Sequence, residues 1–187
     1  KDFLGAEGAD YVEELEAALH LMKQAKNLGS IMKLNLSEEA RVFIETRFTE
    51  IENTDYRDFN IEAIYQNLKN YIPVLLILTK KYSSVVANPP YMGQKNMNAD
   101  LKNYVNGNYP RSKSDLYAVF IEAMIDLLQH QARVGCITME SWMFLSSYEK
   151  LRNHLLDNYS IASLAHFGWH IIGIAFGTAT LILEKSK

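Results

Sequence analysis

The sequence predicts an α/β fold: a mainly helical segment over residues 1–80, then the carboxyl-side part of an open sheet over 81–187. Three observations carry that prediction. Apolar residues recur at helical spacing through the first 80 positions. From Tyr82 onward, short apolar runs alternate with helical patterns in the order strand, helix, strand, helix, strand, strand. One of those runs, Val85-Val86-Ala87, stops abruptly at Asn88-Pro89-Pro90-Tyr91. Consecutive prolines cannot continue a strand ladder, because each lacks an N–H and has φ fixed near −65°. Asn88 and Pro89, each followed by proline, are biased to extended geometry. A stiff turn at the carboxyl end of a strand is where open α/β sheets bind ligands.

Composition narrows the class. The 187 residues are 48% hydrophobic and 22% charged, ordinary for a globular chain able to bury a sizeable core. Cys136 is the single cysteine, which rules out an internal disulfide and points to a reducing compartment such as the cytoplasm. The longest apolar run, 72–78, contains Pro73 and is far too short to span a bilayer. The start of the chain lacks the basic-then-apolar pattern of a signal peptide. A net charge of −3 argues against strong, unaided nucleic-acid binding by the whole surface. The first residue is not methionine, so the chain is expected to be a piece of a longer protein.

In the first segment, Val12, Leu15, Leu19 and Met22 predict an amphipathic helix over 10–26, with acidic residues leading, basic ones trailing and Gly29 as its stop. Residues 33–36 read as extended. Ser37 is the expected N-cap of a second helix, with Glu38 and Glu39 in its first turn and Val42, Phe43 and Phe48 on its apolar face. A polar connection over 53–60 leads to a third helix carrying Ile61, Ile64, Tyr65, Leu68 and Ile72. Pro73 is expected to kink this helix, with 74–78 continuing it. A buried strand over 74–78 is the competing reading of so short an apolar run.

In the second segment, residues 82–87 form a strand and 92–111 a long asparagine-rich loop. Ser112 or Ser114 caps a helix running to about residue 129, with Leu116, Val119, Phe120, Ala123, Met124, Leu127 and Leu128 on its apolar side. A strand over 133–138, a loop with Trp142 and Phe144, a helix over 147–158 and strands over 161–167 and 175–184 complete the chain. The pattern contains neither an internal repeat nor a low-complexity tract.

The Asn88–Tyr91 loop suits one kind of chemistry. An amino group attached to an aromatic ring is planar and poorly nucleophilic, because its lone pair is delocalised. Two acceptors on its two N–H bonds hold it and favour a tetrahedral nitrogen whose lone pair points at an electrophile. The Asn88 side-chain oxygen and the Pro89 carbonyl can be those acceptors, and Pro90 keeps the turn rigid. Tyr91 offers a flat face worth ~1–3 kcal/mol of stacking per base. A base in a duplex reaches such a loop only when flipped out.

Asn88-Pro89-Pro90-Tyr91 resembles the catalytic motif of the amino-group methyltransferases, whose donor is S-adenosylmethionine. The wider stretch Lys81-Tyr82-Ser83-Ser84-Val85-Val86-Ala87-Asn88-Pro89-Pro90-Tyr91-Met92-Gly93 looks most like the DNA adenine-N6 methyltransferases of large restriction and phage-exclusion systems of the BREX type. Lys113-Ser114-Asp115-Leu116-Tyr117-Ala118-Val119-Phe120-Ile121-Glu122 resembles that family's next block, at the start of a helix beside the cofactor pocket. Ala25-Lys26-Asn27-Leu28-Gly29-Ser30-Ile31 resembles a segment ahead of the catalytic strand in the phage-exclusion members. The resemblance implies a Rossmann-like methyltransferase sheet over 81–187, DNA as the partner of the full-length protein, and other defence-system subunits as further partners. It also implies a second aromatic against the flipped adenine, a place that Phe176 matches; a core role in an apolar strand is its alternative. The family's glycine-containing cofactor loop is not matched, since no Gly-x-Gly occurs. The donor-gripping part is therefore expected upstream of Lys1 and the base-recognition region downstream of Lys187. The chain alone is expected to bind the donor poorly and to be inactive.

Other candidates are weaker. Lys95, Lys102, Arg111 and Lys113 could touch DNA phosphates, though a solvated loop explains them as well. Asp115 is a candidate for the cofactor pocket or a helix cap. Cys136 reads as core. His166 and His170 are four apart without a third ligand, so no metal is expected. Two alternatives stay open: the same loop acting on a protein glutamine or an RNA guanine amino group, and a non-catalytic α/β interaction module that retains the loop by descent.

Overall fold

A computed structural model describes residues 2–54, 58–169 and 176–186 of the chain. It divides into two compact units, Lys1–Lys80 and Lys81–Lys187.

The first unit is helical. A 3-10 turn, Ala9–Tyr11, leads into α1 (Val12–Met22), which buries Leu15, Ala18 and Met22. The helix expected over 10–26 is divided: bonds from the N–H of Lys23 to His20 and of Gln24 to Leu21 tighten the chain before the single turn α2 (Ala25–Leu28). Gly29 ends α2 with φ of 55°, a conformation that favours glycine. Ser37 caps α3 (Glu38–Glu52), its hydroxyl accepting from the Ala40 amide at 3.2 Å. The same serine donates its N–H and hydroxyl to the Glu14 carboxylate at 2.6 and 3.0 Å, which ties α1 to the start of α3. Asp58 caps α4 (Phe59–Leu68) by accepting from the Ile61 amide at 2.9 Å. The chain then breaks rather than kinks, and α5 (Ile72–Thr79) begins anew with Pro73 in its first turn. There the missing N–H costs nothing, because first-turn amides have no intrahelical acceptor. Helix, not strand, is thus the state of 74–78. Packing of α3 against α4 brings the Phe48 and Tyr65 rings to 5.7 Å.

The second unit holds a four-stranded mixed sheet: β1 (Tyr82–Ala87), β2 (Leu128–Met139), β3 (Ser160–Gly168) and β4 (Thr178–Glu184), in the order β1-β2-β4-β3. β1 and β2 are parallel, with Ala87 opposite Cys136; β4 runs antiparallel to both β2 and β3. The expected 92–111 loop contains a 3-10 turn, Gln94–Asn96, and a helix, α6 (Ala99–Asn108), capped by the Asn98 side chain and burying Leu101 and Val105. α7 (Leu116–Asp126) is capped by Asp115 rather than by Ser112 or Ser114. β2 begins earlier than expected, with an irregular stretch at Gln131, whose φ is 60°. After β2 come the single turn α8 (Ser141–Phe144) and α9 (Glu149–Asn158). Phe176 and Gly177 precede β4 rather than belonging to it; Ala175 and His170 lie outside the described residues.

The core of this unit lies on one sheet face. Val134 and Cys136 of β2 and Leu181 and Leu183 of β4 pack with Tyr117, Ile121 and Ile125 of α7 and with Leu151 and Leu155 of α9. Full burial of such side chains stabilises by roughly 1.5–3 kcal/mol each. Trp142 is core, its ring N–H donating to Thr138 Oγ1 at 3.0 Å, whereas Phe144 is exposed. Burial pushes the Cys136 thiol up to about 12.

Replacing Ser37 by alanine removes the cap and the hydroxyl that donates to Glu14, and leaves only the backbone N–H on that carboxylate. Ser37→Ala is expected to lower stability by about 1 kcal/mol or slightly more, read as a fall in the urea midpoint with unchanged slope.

Candidate active site

The sheet's directions gather one edge. Parallel β1 and β2 run towards the same edge, β2 continuing to Met139 beyond the Ala87–Cys136 pair, so Asn88 to Tyr91 and Glu140 leave the sheet on the same side. Antiparallel pairing of Met139 with Thr178, and of Thr178 with Gly168, brings the start of β4 and the end of β3 there too. Three segments distant in sequence therefore meet around the proline loop.

Within the loop, Asn88 and Pro90 are exposed, Pro89 is buried and Tyr91 is half-buried. The Tyr91 hydroxyl donates to the Ile137 carbonyl at 3.4 Å, and its ring packs against the core. The Tyr117 ring lies at 6.1 Å, and Phe176 stands nearly perpendicular to Tyr91 at 5.1 Å and 78°. Edge-to-face aromatic pairs at such separations are favourable. Burial raises the Tyr91 phenol above its ordinary value, with Cys136 adding to the effect, so it stays neutral at physiological pH.

Asp115 anchors the chain just beyond the loop. Its Oδ1 accepts from the Met92 amide at 2.9 Å and from the Tyr117 amide at 3.3 Å. The Leu116 N–H donates to the Met92 carbonyl, and the Gln94 N–H to the Ser114 carbonyl, each at 3.0 Å. Together with the Gly93–Asp115 bridge, these bonds fasten the end of the loop to the start of α7. Burial raises the Asp115 carboxyl above its ordinary value, and the amides of Met92, Tyr117 and Leu116 oppose the rise.

A family model described as Eco57I restriction-modification methylase matches residues 11–171. The chain belongs to this family. It is 40% identical over 161 residues to the adenine-specific methyltransferase BrxX of Escherichia coli O9:H4 (strain HS), covering 85% of this chain and 13% of that protein. It is 32% identical over 195 residues to the adenine-specific methyltransferase PglX of Lacticaseibacillus casei (strain Zhang), covering 100% of this chain and 16% of that protein. The chain thus spans about a seventh of the length of these two relatives. Among solved structures, a putative class I S-adenosylmethionine-dependent methyltransferase from Listeria monocytogenes aligns with a TM-score of 0.47 at 11% identity, covering 95% of this chain and 60% of that one.

In this methylase-family chain the loop residues and Phe176 come together, and Asp115 lies immediately behind them. Lys95 in its 3-10 turn, Lys102 on α6 and Lys113 are exposed. The Arg111 guanidinium is engaged: Nε and Nη2 donate to Oε2 of buried Glu122 at 2.9 and 2.6 Å. His166 sits against Glu140 and, at 6.0 Å, against the Phe144 ring. Among the described residues no three His, Cys, Asp or Glu side chains cluster as metal ligands, and no helix is long and apolar enough to cross a membrane.

Sequence reasoning missed Glu140. Its N–H donates to the Gly177 carbonyl at 2.9 Å, and its carboxylate forms an ion pair with His166 when the imidazole is protonated. Nothing local in the sequence announces this, since both partners come from other segments of the sheet. It also missed a polar-aromatic group under the loop, in which the Tyr117 hydroxyl bonds Ser141 Oγ at 2.8 Å and the Tyr148 ring lies 5.9 Å away.

The raised Asp115 carboxyl fixes a sign. The folded protein binds this proton more tightly than the unfolded chain, so the group adds stability as pH falls from its raised value towards 3.8, the ordinary value. Asp115→Asn keeps an acceptor and removes the titration. The melting temperature of wild type relative to Asp115→Asn is expected to rise between pH 7 and pH ~4, by thermal melts at matched ionic strength.

Proposed function

We propose that this chain is part of a DNA methyltransferase that transfers a methyl group from S-adenosylmethionine to N6 of adenine in a restriction-modification or phage-defence system. The observation that carries this reading is the proline loop at the end of parallel strand β1, with the Tyr91 ring 5.1 Å from Phe176 beside an exposed Asn88. The names of the two relatives, adenine-specific methyltransferases, support adenine as the target.

In this reading Asn88 Oδ1 and the Pro89 carbonyl accept the two N–H bonds of the amino group. Pro90 supplies no competing amide, and the loop is held rigid between the prolines and the Asp115 clamp. Tyr91 takes the flipped base on its face, and Phe176, in edge contact with Tyr91, borders that place. These groups are set before the base arrives, so little reorganisation accompanies reaction.

When bound, the donor supplies an electrophilic methyl group. The residues here fit the acceptor side of the reaction and not the donor's grip. The Asp115 carboxylate is taken up by the amides of Met92 and Tyr117, and no Gly-x-Gly loop occurs in the chain. No residue of this chain is therefore assigned to hold the donor.

DNA would be engaged through the complete protein, together with any further subunits of the system. Lys95, Lys102 and Lys113 follow the loop in sequence, are exposed and would make phosphate contacts. Arg111 is engaged by Glu122, with its side chain partly exposed.

In the complete protein, Asn88→Ala is expected to lower methylation of adenine-containing DNA by about 100- to 1,000-fold, the scale of losing one preorganised hydrogen-bonding group. The thermal midpoint should stay close to that of wild type. Transfer of label from the donor to DNA, with protein and RNA as parallel acceptors, measures this. Wild-type rates in the variant, or label in protein or RNA instead of DNA, would contradict the reading.

A further inference from the structure

We propose that Glu140 is a positioning residue that sets Phe176 against Tyr91. The inference rests on the reading of those two rings as the walls of the base site. It goes beyond that reading in naming what holds the wall in place.

Four observations converge on Glu140. It directly follows β2, three residues beyond Ile137, whose carbonyl receives the Tyr91 hydroxyl. Its own N–H donates to the Gly177 carbonyl at 2.9 Å, which fixes the residue next to Phe176. Its carboxyl group fills the space where a side chain at 177 would stand, and a Cβ built on Gly177 overlaps it. Its Oε2 meets His166 Nε2 near the end of β3, and the Phe144 ring lies 6.0 Å from that imidazole. The Glu140 side chain is 20% exposed and that of His166 47%.

The glycine has a specific purpose in this arrangement. Gly177 lets the carboxylate approach the backbone beside Phe176, and a methyl group there would push the carboxylate away. The atoms it would meet are the far end of a flexible side chain, so Gly177→Ala would displace Glu140 without forcing the strands apart. Glu140 thus joins β2, β3 and the entry to β4 at the residue next to Phe176.

The test uses the complete protein with para-fluorophenylalanine placed at position 176 and read by fluorine NMR. Tyr91→Leu gives the shift that reports loss of the ring contact. Glu140→Ala is expected to move or broaden the resonance in the same sense, Gly177→Ala to do likewise, and Glu140→Gln to retain the wild-type line. In methylation assays Glu140→Ala should lower kcat by about 10- to 100-fold, in scale with a small misplacement, with KM for the donor unchanged. Added to Phe176→Ala, it should cost little more. A folded Glu140→Ala protein with an unmoved resonance would overturn the proposal. So would losses that multiply between Glu140→Ala and Phe176→Ala. If Glu140→Ala does not fold, the contrast between Glu140→Gln and Gly177→Ala decides the matter. A wild-type protein that methylates no DNA adenine would refute the base-site reading, while the fluorine resonance would still decide whether Glu140 positions Phe176.

Discussion

The second unit depends on one carboxylate doing two jobs. Asp115 caps α7 and, through the same oxygen, holds the amide of Met92, the residue after the Asn-Pro-Pro-Tyr turn. The turn is therefore fixed at both ends, by β1 pairing on one side and by the helix cap on the other. Since α7 is locked to the sheet by the burial of Tyr117 and Ile121, the position of the Asn88 amide is referred to the core. The arrangement carries an electrostatic cost. Removing the carboxylate from water raises its affinity for a proton, and the donated amides recover part of the difference.

Sheet direction supplies the second constraint. A parallel β1–β2 pair places two strand ends side by side, and an antiparallel β4 delivers a third segment to the same edge. Tyr91 is the point where these constraints meet. It belongs to the core through its ring and to the edge through its neighbours, which makes it costly to move.

Much of this was legible in the sequence. β1 takes the bounds that its apolar run and the following prolines imply, because two prolines leave no ambiguity about where a ladder ends. Ser37 and the acidic pair after it mark the start of α3 for the same local reason. The α6 helix was hidden by Asn103, Asn106, Gly107 and Asn108, poor helix formers whose preferences are overridden by burial of Leu101 and Val105. Asp115 outcompeted two nearby serines as the α7 cap because it alone also meets Met92, a tertiary fact with no local signature. The candidate site divides in the same way. Its loop is written in four consecutive residues, whereas the Glu140–His166–Gly177 contact exists only once three strands are in register.

Cys136 carries a practical consequence. It is the chain's single cysteine, it lies 5% exposed opposite Ala87 at the end of β1, and its thiol is held far above the range in which thiolate forms at neutral pH. Alkylating reagents attack the thiolate, so in the folded unit this sulfur is silent to them. It becomes reactive only when the sheet opens next to the proline loop. The fold thereby contains its own chemical clock for local opening at that edge, and a cysteine introduced on the surface would be modified without competition from within the chain.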